Sequence, residues 1–201
     1  MKIRFLFTKN KGPTFKNGRM RWLKAQAIGQ GIVIWTWVLA VARLDFKSLK
    51  YNFRHVEVWF PDDVGLFSNI PAYADPKAIL YGKYFSATTR GENKGVRFAP
   101  ASEVLKHPNR WDYIEVEVKD ERIENYMPVF QEKVGLAYDF AGIAGFALPF
   151  NPQDKNKWFC SEICAWVAFV LWILPYWHKR ISPRRLAKLL VEAGGELKSL
   201  T

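Results

Sequence analysis

Cysteine and histidine are scarce in this sequence, and their positions exclude two kinds of site. The 201 residues include two cysteines and three histidines. Cys160 and Cys164 lie four positions apart, so on a helix their side chains run nearly parallel and are unsuited to a disulfide. Zinc needs four nitrogen or sulfur ligands, and His55, His107 and His178 do not stand at zinc-motif spacing from the cysteines. We therefore expect no structural disulfide, no metal, no cofactor and no need for oxidising export.

Acidic residues are nearly absent from the first quarter of the chain. Residues 1–50 have 11 Lys and Arg but one acid, a balance of +10, and residues 177–201 carry +4, whereas the remaining residues sum to −3. Two basic ends around a near-neutral body are typical of proteins that bind an anionic membrane surface, an acidic protein or a nucleic acid, although a solvated basic face has the same composition. A nucleic-acid partner is the least favoured, because aromatic and basic residues do not interleave in a recognised motif.

The sequence also lacks a fully apolar run of the length that a membrane-spanning helix needs, which is about 20 residues. Ala25 to Ala42 is uncharged over 18 residues, but Gln26, Gln30 and two glycines dilute it. Three interpretations stay open: a helix packed in the core, which we favour, a membrane-associated helix, or, read from Met20, a signal peptide that ends in Ala-Val-Ala.

What the chain does contain is enough apolar material for a core, since hydrophobic residues are 49% and aromatic residues 16% of the total. The segments expected to be strands are 1–8, 54–60, 83–90, 95–99 and 113–118. The segments expected to be helices are 20–43, 121–134, 138–148, 160–174 and one that begins with Ser182 as N-cap and ends at Gly194-Gly195. This order predicts an α+β fold in which helices pack on an antiparallel sheet. We divide the chain into a basic N-terminal extension with an apolar helix, 1–50, and a domain, 51–201.

The segment KWFCSEICAWVAFVLWILPYW, residues 157–177, places a cysteine where an apolar helix should begin. Free N–H groups and aligned peptide dipoles at a helix N-terminus lower the pKa of a thiol, so Cys160 is a candidate nucleophile. Cys164 lies one turn further on and is expected to be a small buried apolar residue. By itself, a cysteine in a helix this rich in tryptophan is more often a packing residue than a nucleophile.

His55 is the best candidate for the base that a cysteine nucleophile needs. Strand alternation puts His55 and Glu57 on one face, where the carboxylate could orient the imidazole or raise its basicity. His107, in a turn-like stretch, and His178, among basic residues, are weaker candidates. A histidine on a strand is also commonly structural, so the pair alone leaves both interpretations open.

Several short motifs follow one another between residues 50 and 195. They are HVE (55–57), YFSA (84–87), GVRF (95–98), WDYIE (111–115), GLAYD (135–139), WFCSE (158–162) and the helix that begins at Ser182-Pro183. Their order resembles the permuted branch of the papain-like NlpC superfamily, which includes cell-wall peptidases, lecithin-retinol-acyltransferase-like enzymes and many bacterial and phage proteins. The Phe-Cys-Ser-Glu signature with an upstream His is the most specific piece. The resemblance implies a permuted papain-like fold for the domain, with the basic N-terminal helix as an elaboration.

The resemblance also implies roles for individual residues. Cys160 matches the nucleophile and His55 the general base. For the third polar member, Glu57 is our first choice and Ser86 the second. Tyr138 matches a tyrosine that often lines the substrate site. The implied chemistry is attack on an amide or ester carbonyl, which gives a thioacyl-enzyme that water or another acceptor resolves.

Two functions fit these features of the sequence. The first is a cysteine peptidase or amidase, with peptidoglycan peptides as one substrate class. The second is a non-enzymatic structural or interaction protein that keeps the fold, such as a phage virion component or a membrane-docked part of a larger assembly. The intact Cys160 and His55 favour the first function, whereas the basic, aromatic N-terminal extension and the crowded apolar helix favour the second.

Overall fold

The computed structural model describes residues 1–9, 53–61, 83–89, 94–140, 154, 156–177 and 180–200. Within these ranges the strands are β1 Lys2–Lys9, β2 Phe53–Phe60, β3 Lys83–Thr88, β4 Gly95–Pro100, β5 Trp111–Glu117, β6 Ala137–Tyr138, β7 Lys157–Trp158 and β8 Glu196–Ser199. The α-helices are α1 Ala101–Val104, α2 Asp120–Gln131, α3 Cys160–Val170 and α4 Pro183–Glu192. The helix predicted at 20–43 lies outside the described residues.

Six strands form one sheet in the order β4-β3-β2-β1-β5-β8, and every neighbouring pair in it is antiparallel. The short strands β6 and β7 form a separate, parallel pair. The predicted α+β class with an antiparallel sheet and packed helices is therefore confirmed. β1 lies in the middle of the sheet, between β2 and β5, although its residues precede the boundary that we drew at residue 50.

The two faces of β2 differ, and this difference positions the site. Val56, Val58 and Phe60 are fully buried and belong to the main core, which also contains residues of α3 and α4. Glu57 and Trp59 alternate with them and point to the other side of the sheet. Burying one Val or Phe side chain contributes about 1.5–3 kcal/mol, so this alternation fixes which face of β2 meets the helices.

The sequence predicted the longer elements well and missed the short ones. The five expected strands all overlap β1 to β5, and the helices expected at 121–134 and 160–174 overlap α2 and α3. α4 begins at Pro183, after the predicted N-cap, because the Ser182 hydroxyl accepts a hydrogen bond from the Arg185 N–H at 3.2 Å. The elements β6, β7, β8 and α1 have two to four residues each, too few for a readable alternation or helical period.

Tyr138 requires a correction. It was predicted to begin a helix at 138–148, but it ends β6, where its main chain pairs with Trp158 of β7. The next N–H, that of Asp139, donates to the Trp158 carbonyl at 3.0 Å. This long-range pairing holds the chain extended at Tyr138, and residues 141–148 lie outside the described part of the structure.

Candidate active site

His55 lies on β2 beside a β-bulge. β1 pairs Thr8 with His55 but Lys9 with Phe53, so the register of the ladder shifts by one residue at Arg54. A bulge turns the neighbouring side chains away from strict alternation and is common next to active sites. The His55 side chain is partly buried, with 21% of its surface exposed, which leaves a route from solvent to the imidazole.

Glu57 fixes the orientation of this imidazole. The Nε2 atom of His55 and the Oε1 atom of Glu57 are 3.0 Å apart, and the Glu57 carboxylate is buried. Strand alternation predicted that these two side chains share a face, and the distance agrees. Because Glu57 occupies Nε2, the Nδ1 atom is the ring nitrogen that remains for a thiol.

Cys160 is the first residue of α3, as the sequence predicted, and its thiol is hydrogen bonded to the His55 imidazole. Phe159 precedes it in an extended conformation, and no side chain in the described part of the chain caps the start of α3. The main-chain N–H groups of Val56 and Ser161 also bond to the sulfur. A thiolate at this position therefore has one ring donor and two main-chain donors, which together stabilise its negative charge.

The electrostatics of the pair favour a thiolate and an imidazolium. Burial raises the pKa of the Cys160 thiol, but the charge and hydrogen bond of His55, with the two main-chain hydrogen bonds, lower the pKa overall. Burial lowers the pKa of His55, but the charge and hydrogen bond of Cys160, followed by those of Glu57, raise it to about 9. Each partner thus favours the charged form of the other, and His55 loses its proton as the pH rises through about 9.

The start of α3 reaches the imidazole through a gap between β2 and β3. The ladder between these strands begins only at Val58. Nearer the start of β2, the Ser86 hydroxyl donates to the Val56 carbonyl at 2.7 Å, so a side chain replaces a ladder hydrogen bond. The N–H and carbonyl of one residue in an antiparallel strand point to the same side. The Val56 N–H is therefore also free of β3, and it bonds to Cys160 instead.

Cys164 lies one turn further along α3, in the opposite electrostatic environment. Burial raises the pKa of its thiol well above the usual value, and the charges of Cys160 and Glu57 raise it further. Its sulfur lies 3.6 Å from the Val56 carbonyl oxygen and 3.9 Å from that of Phe85. Both cysteines are free thiols, but only Cys160 has an environment that favours ionisation.

The other sequence candidates are placed as follows. Ser86 is buried, and its hydroxyl donates to the Val56 carbonyl and not to the imidazole. The residue that contacts the second ring nitrogen of His55 is Glu57, which was our first choice for the third member. Tyr138 stacks edge-on against Phe140, with ring centroids 5.0 Å apart, and its role in lining a substrate site stays a prediction. His107 is exposed beside the short turn Pro108–Arg110, and His178 lies outside the described residues.

Sequence reasoning missed two contributors, the Val56 main chain and the Arg97 side chain. The Arg97 guanidinium lies close to Glu57, with Nη2 4.0 Å from Oε1, and it also pairs with Glu103 at 3.2 Å. Arg97 belongs to the GVRF motif, but nothing in the motif itself points at Glu57. The register of β3 and β4 sets Arg97 opposite Ser86, so these two side chains lie on the same face of the sheet.

The described ranges offer neither a metal site nor a membrane span. Among the residues in them, no group of three or more His, Cys, Asp and Glu side chains could hold a metal ion. No helix in these ranges is long and apolar enough to cross a membrane. The uncharged segment 25–42 lies outside them.

Cys160, His55 and Glu57 form a continuous chain of hydrogen-bonded side chains that can do nucleophilic chemistry. The thiolate can attack an electrophilic carbon, the imidazolium can give up a proton, and the carboxylate keeps the ring in one orientation. No protein-family model, curated protein or solved structure matches the chain. Its function is therefore inferred from this geometry together with the motif order described above.

Proposed function

We propose that this chain is a cysteine hydrolase of amide or peptide bonds. The observation that carries the proposal is the thiol of Cys160 at the start of α3, hydrogen bonded to His55, whose other ring nitrogen is bound by Glu57. A nucleophile, a base and a group that orients the base are the three parts that covalent acyl transfer needs.

The first half of the reaction forms a thioester. The Cys160 thiolate attacks the carbonyl carbon, and the π electrons move to the oxygen, where the N–H of Cys160 at the helix start helps to stabilise the oxyanion. When the carbonyl re-forms, the bond from carbon to nitrogen breaks. The His55 imidazolium donates its proton to the departing nitrogen, which leaves as a neutral amine.

The second half regenerates the thiolate. Neutral His55 takes a proton from a water molecule as the water oxygen attacks the thioester carbon. The bond from carbon to sulfur then breaks, the carboxylic acid is released, and Cys160 is again a thiolate beside an imidazolium. Glu57 keeps the ring oriented through both steps without itself changing protonation.

A permuted papain-like fold is part of the same proposal. β2 with His55 precedes α3 with Cys160 in the chain, and α3 packs on an antiparallel sheet, which is the order and arrangement that the resemblance implies. Peptidoglycan peptides are the substrate class that this resemblance favours.

A second candidate function is a structural or interaction protein, such as a phage virion component or a protein docked on an anionic membrane. Two observations favour it. Only 5% of Cys160 is exposed, so access to the sulfur is narrow. Trp172 and Tyr176, which follow α3, are 68% and 71% exposed, so two large aromatic side chains are available there for contact with a partner.

Trapping the acyl-enzyme separates the two functions. The wild-type chain, Cys160→Ala and Cys164→Ala are incubated with p-nitrophenyl acetate and with muropeptides, and the adduct is located by tandem mass spectrometry. We expect acylation at Cys160 in the wild type and in Cys164→Ala, and none in Cys160→Ala. Removing either sulfur changes little volume, so both variants should fold. An unacylated wild type, or an adduct on Cys164, would leave the interaction function as the better proposal.

A further inference from the structure

Arg97 is a buried cation with no part in the reaction steps proposed above. It lies on β4 and is 8% exposed, although arginine is almost never this buried unless it is paired. Its Nη2 atom is 3.2 Å from Glu103, whose side chain is 42% exposed. Its Nε and Nη1 atoms have no hydrogen-bond partner in the described part of the chain. An ion pair with a half-exposed carboxylate offsets little of the cost of burying a guanidinium, so Arg97 is poorly explained by structure alone.

The second negative charge near Arg97 is that of Glu57, and one oxygen of this carboxylate faces both Arg97 and His55. Glu57 Oε1 lies 3.0 Å from His55 Nε2 and 4.0 Å from Arg97 Nη2. The longer distance is not a hydrogen bond, so Arg97 does not hold the carboxylate in place. Its effect on Glu57 is that of a positive charge in a buried, weakly screened setting. It therefore competes with the imidazolium for the same negative charge.

The charges alternate along this line, from the Cys160 thiolate through His55, Glu57 and Arg97 to Glu103. Two other titratable groups near it, Tyr84 and Cys164, stay neutral over the relevant range. Burial raises the pKa of Tyr84, and the negative charge of Glu57 raises it further, against a smaller opposing effect of Arg4. Burial also keeps the Cys164 thiol protonated by raising its pKa. Tyr84 and Cys164 thus keep their protons over the pH range in which His55 titrates, at about 9.

We propose that Arg97 is a positioning residue for the reaction: acting through Glu57, its charge weakens the hold of the carboxylate on the imidazolium, so that His55 can release its proton to the leaving group. The inference rests on the hydrolase function proposed above. A general acid is most effective when its proton affinity is close to the working pH. Glu57 and the thiolate both increase the proton affinity of His55, and Arg97 is a buried positive charge, 4.0 Å from Glu57, that opposes them.

The proton affinity of His55 can be measured without a substrate. With ¹⁵N-labelled histidine, the ring signals of three histidines are titrated by NMR and assigned with His107→Gln and His178→Gln. We expect Arg97→Gln to raise the pKa of His55 by about one unit, the size of a nearby single charge, Arg97→Lys to stay close to the wild type, and Glu57→Gln to lower it. An unchanged or lowered pKa in Arg97→Gln overturns the proposal.

The ratio of the rates of amide and ester cleavage would not change if Arg97 had only a structural role. Nitrophenolate leaves without a proton, whereas an amine needs one, so Arg97→Gln should slow amide cleavage more than acylation by p-nitrophenyl acetate, by about tenfold at most. Equal slowing of both reactions overturns the proposal.

If Arg97→Gln does not fold, the variant Glu103→Gln is titrated instead. Without the negative charge of Glu103, the charge of Arg97 acts more strongly on Glu57, so the pKa of His55 should fall. An unchanged pKa would mean that the charge of Arg97 does not affect His55, which overturns the proposal. If the wild type forms no acyl-enzyme, the hydrolase function fails, while the titration still shows whether Arg97 acts on His55.

Discussion

At the scale of single residues, burial and pairing act in opposite directions on the same groups. Burial alone would raise the pKa of Cys160 and lower that of His55, yet each shifts the other way because the other is next to it. Cys164 is the internal comparison: it is buried on the same helix, no cation among the described residues lowers its pKa, and that pKa rises. Burial is thus common to both thiols, and what separates them is the cation and the main-chain donors that surround the Cys160 sulfur.

Glu57 and Ser86 can be told apart by substitution. Glu57→Gln removes the carboxylate that orients the His55 imidazole at 3.0 Å, and with it part of the charge that raises the pKa of His55, so the ring is held less well against the thiolate. We expect amide hydrolysis at about pH 7 to fall by about tenfold to a hundredfold.

Ser86→Ala leaves the buried Val56 carbonyl without its 2.7 Å donor, and we expect the free energy of unfolding to fall by about 1–3 kcal/mol. Urea unfolding and steady-state kinetics on both variants check this. A larger kinetic effect in Ser86→Ala would make Ser86 the third member instead.

At the scale of elements, the helix starts were readable from sequence and the sheet gap was not. Ser182 and Pro183 mark the start of α4 through local chemistry, and the apolar run after Cys160 marks α3. The gap between β2 and β3 depends on Ser86 meeting Val56, a contact between residues 30 positions apart. Nothing in either segment signals that the ladder stops there. The role of Arg97 was not predicted for the same reason, because the pairing of β4, β3 and β2 brings it close to Glu57.

The end of α3 carries backbone strain. Trp172 follows the helix with a φ of 61°, a conformation that costs roughly 1–2 kcal/mol for residues other than glycine. The Trp172 N–H donates to Phe169 and the Ile173 N–H to Ala168, the pattern of a helix end that usually has glycine at this position. The Arg122 guanidinium lies 4.3 Å above the Trp172 ring and covers one of its faces.

Glycine and alanine at position 172 therefore give a matched pair. Both remove the ring and its contact with Arg122, which is worth about 0.5–1 kcal/mol, but only glycine relieves the strain at positive φ. We expect Trp172→Gly to be more stable than Trp172→Ala by about 1 kcal/mol in urea unfolding. An alanine variant as stable as the glycine variant would mean that the backbone strain at this position is not present.

At the scale of the whole molecule, the site is assembled from distant parts of the chain. His55 and Cys160 are 105 positions apart, and they meet because β2 and α3 share one apolar core. The sequence predicted the antiparallel sheet, the helices α2, α3 and α4, and the approach of His55 to Cys160. It did not predict that the first nine residues supply a central strand, because the basic loop and apolar helical pattern that follow made them look like part of an extension.

Deleting residues 1–50 tests the place of β1. This strand pairs with β2 on one side and β5 on the other, and its loss would expose the main chain of both. We expect the truncated chain to lack a cooperative unfolding transition in circular dichroism. The milder change Phe5→Ala, at a fully buried position, should keep cooperativity and cost about 3–5 kcal/mol. Cooperative unfolding of residues 51–201 alone would show that the domain boundary at residue 50 is sound after all.

The measurement that tests the proposed site most directly is the rate at which iodoacetamide labels each cysteine as a function of pH. The native chain is labelled between about pH 5 and 10, and Cys160 and Cys164 are followed separately by mass spectrometry, with His55→Gln as the control. We expect Cys160 to react well below the ordinary thiol pKa of about 8.5, Cys164 to stay unlabelled, and His55→Gln to abolish the low-pH reaction. Labelling of Cys164 first, or of Cys160 with an ordinary thiol pKa, would contradict a thiolate held by His55 at the start of α3.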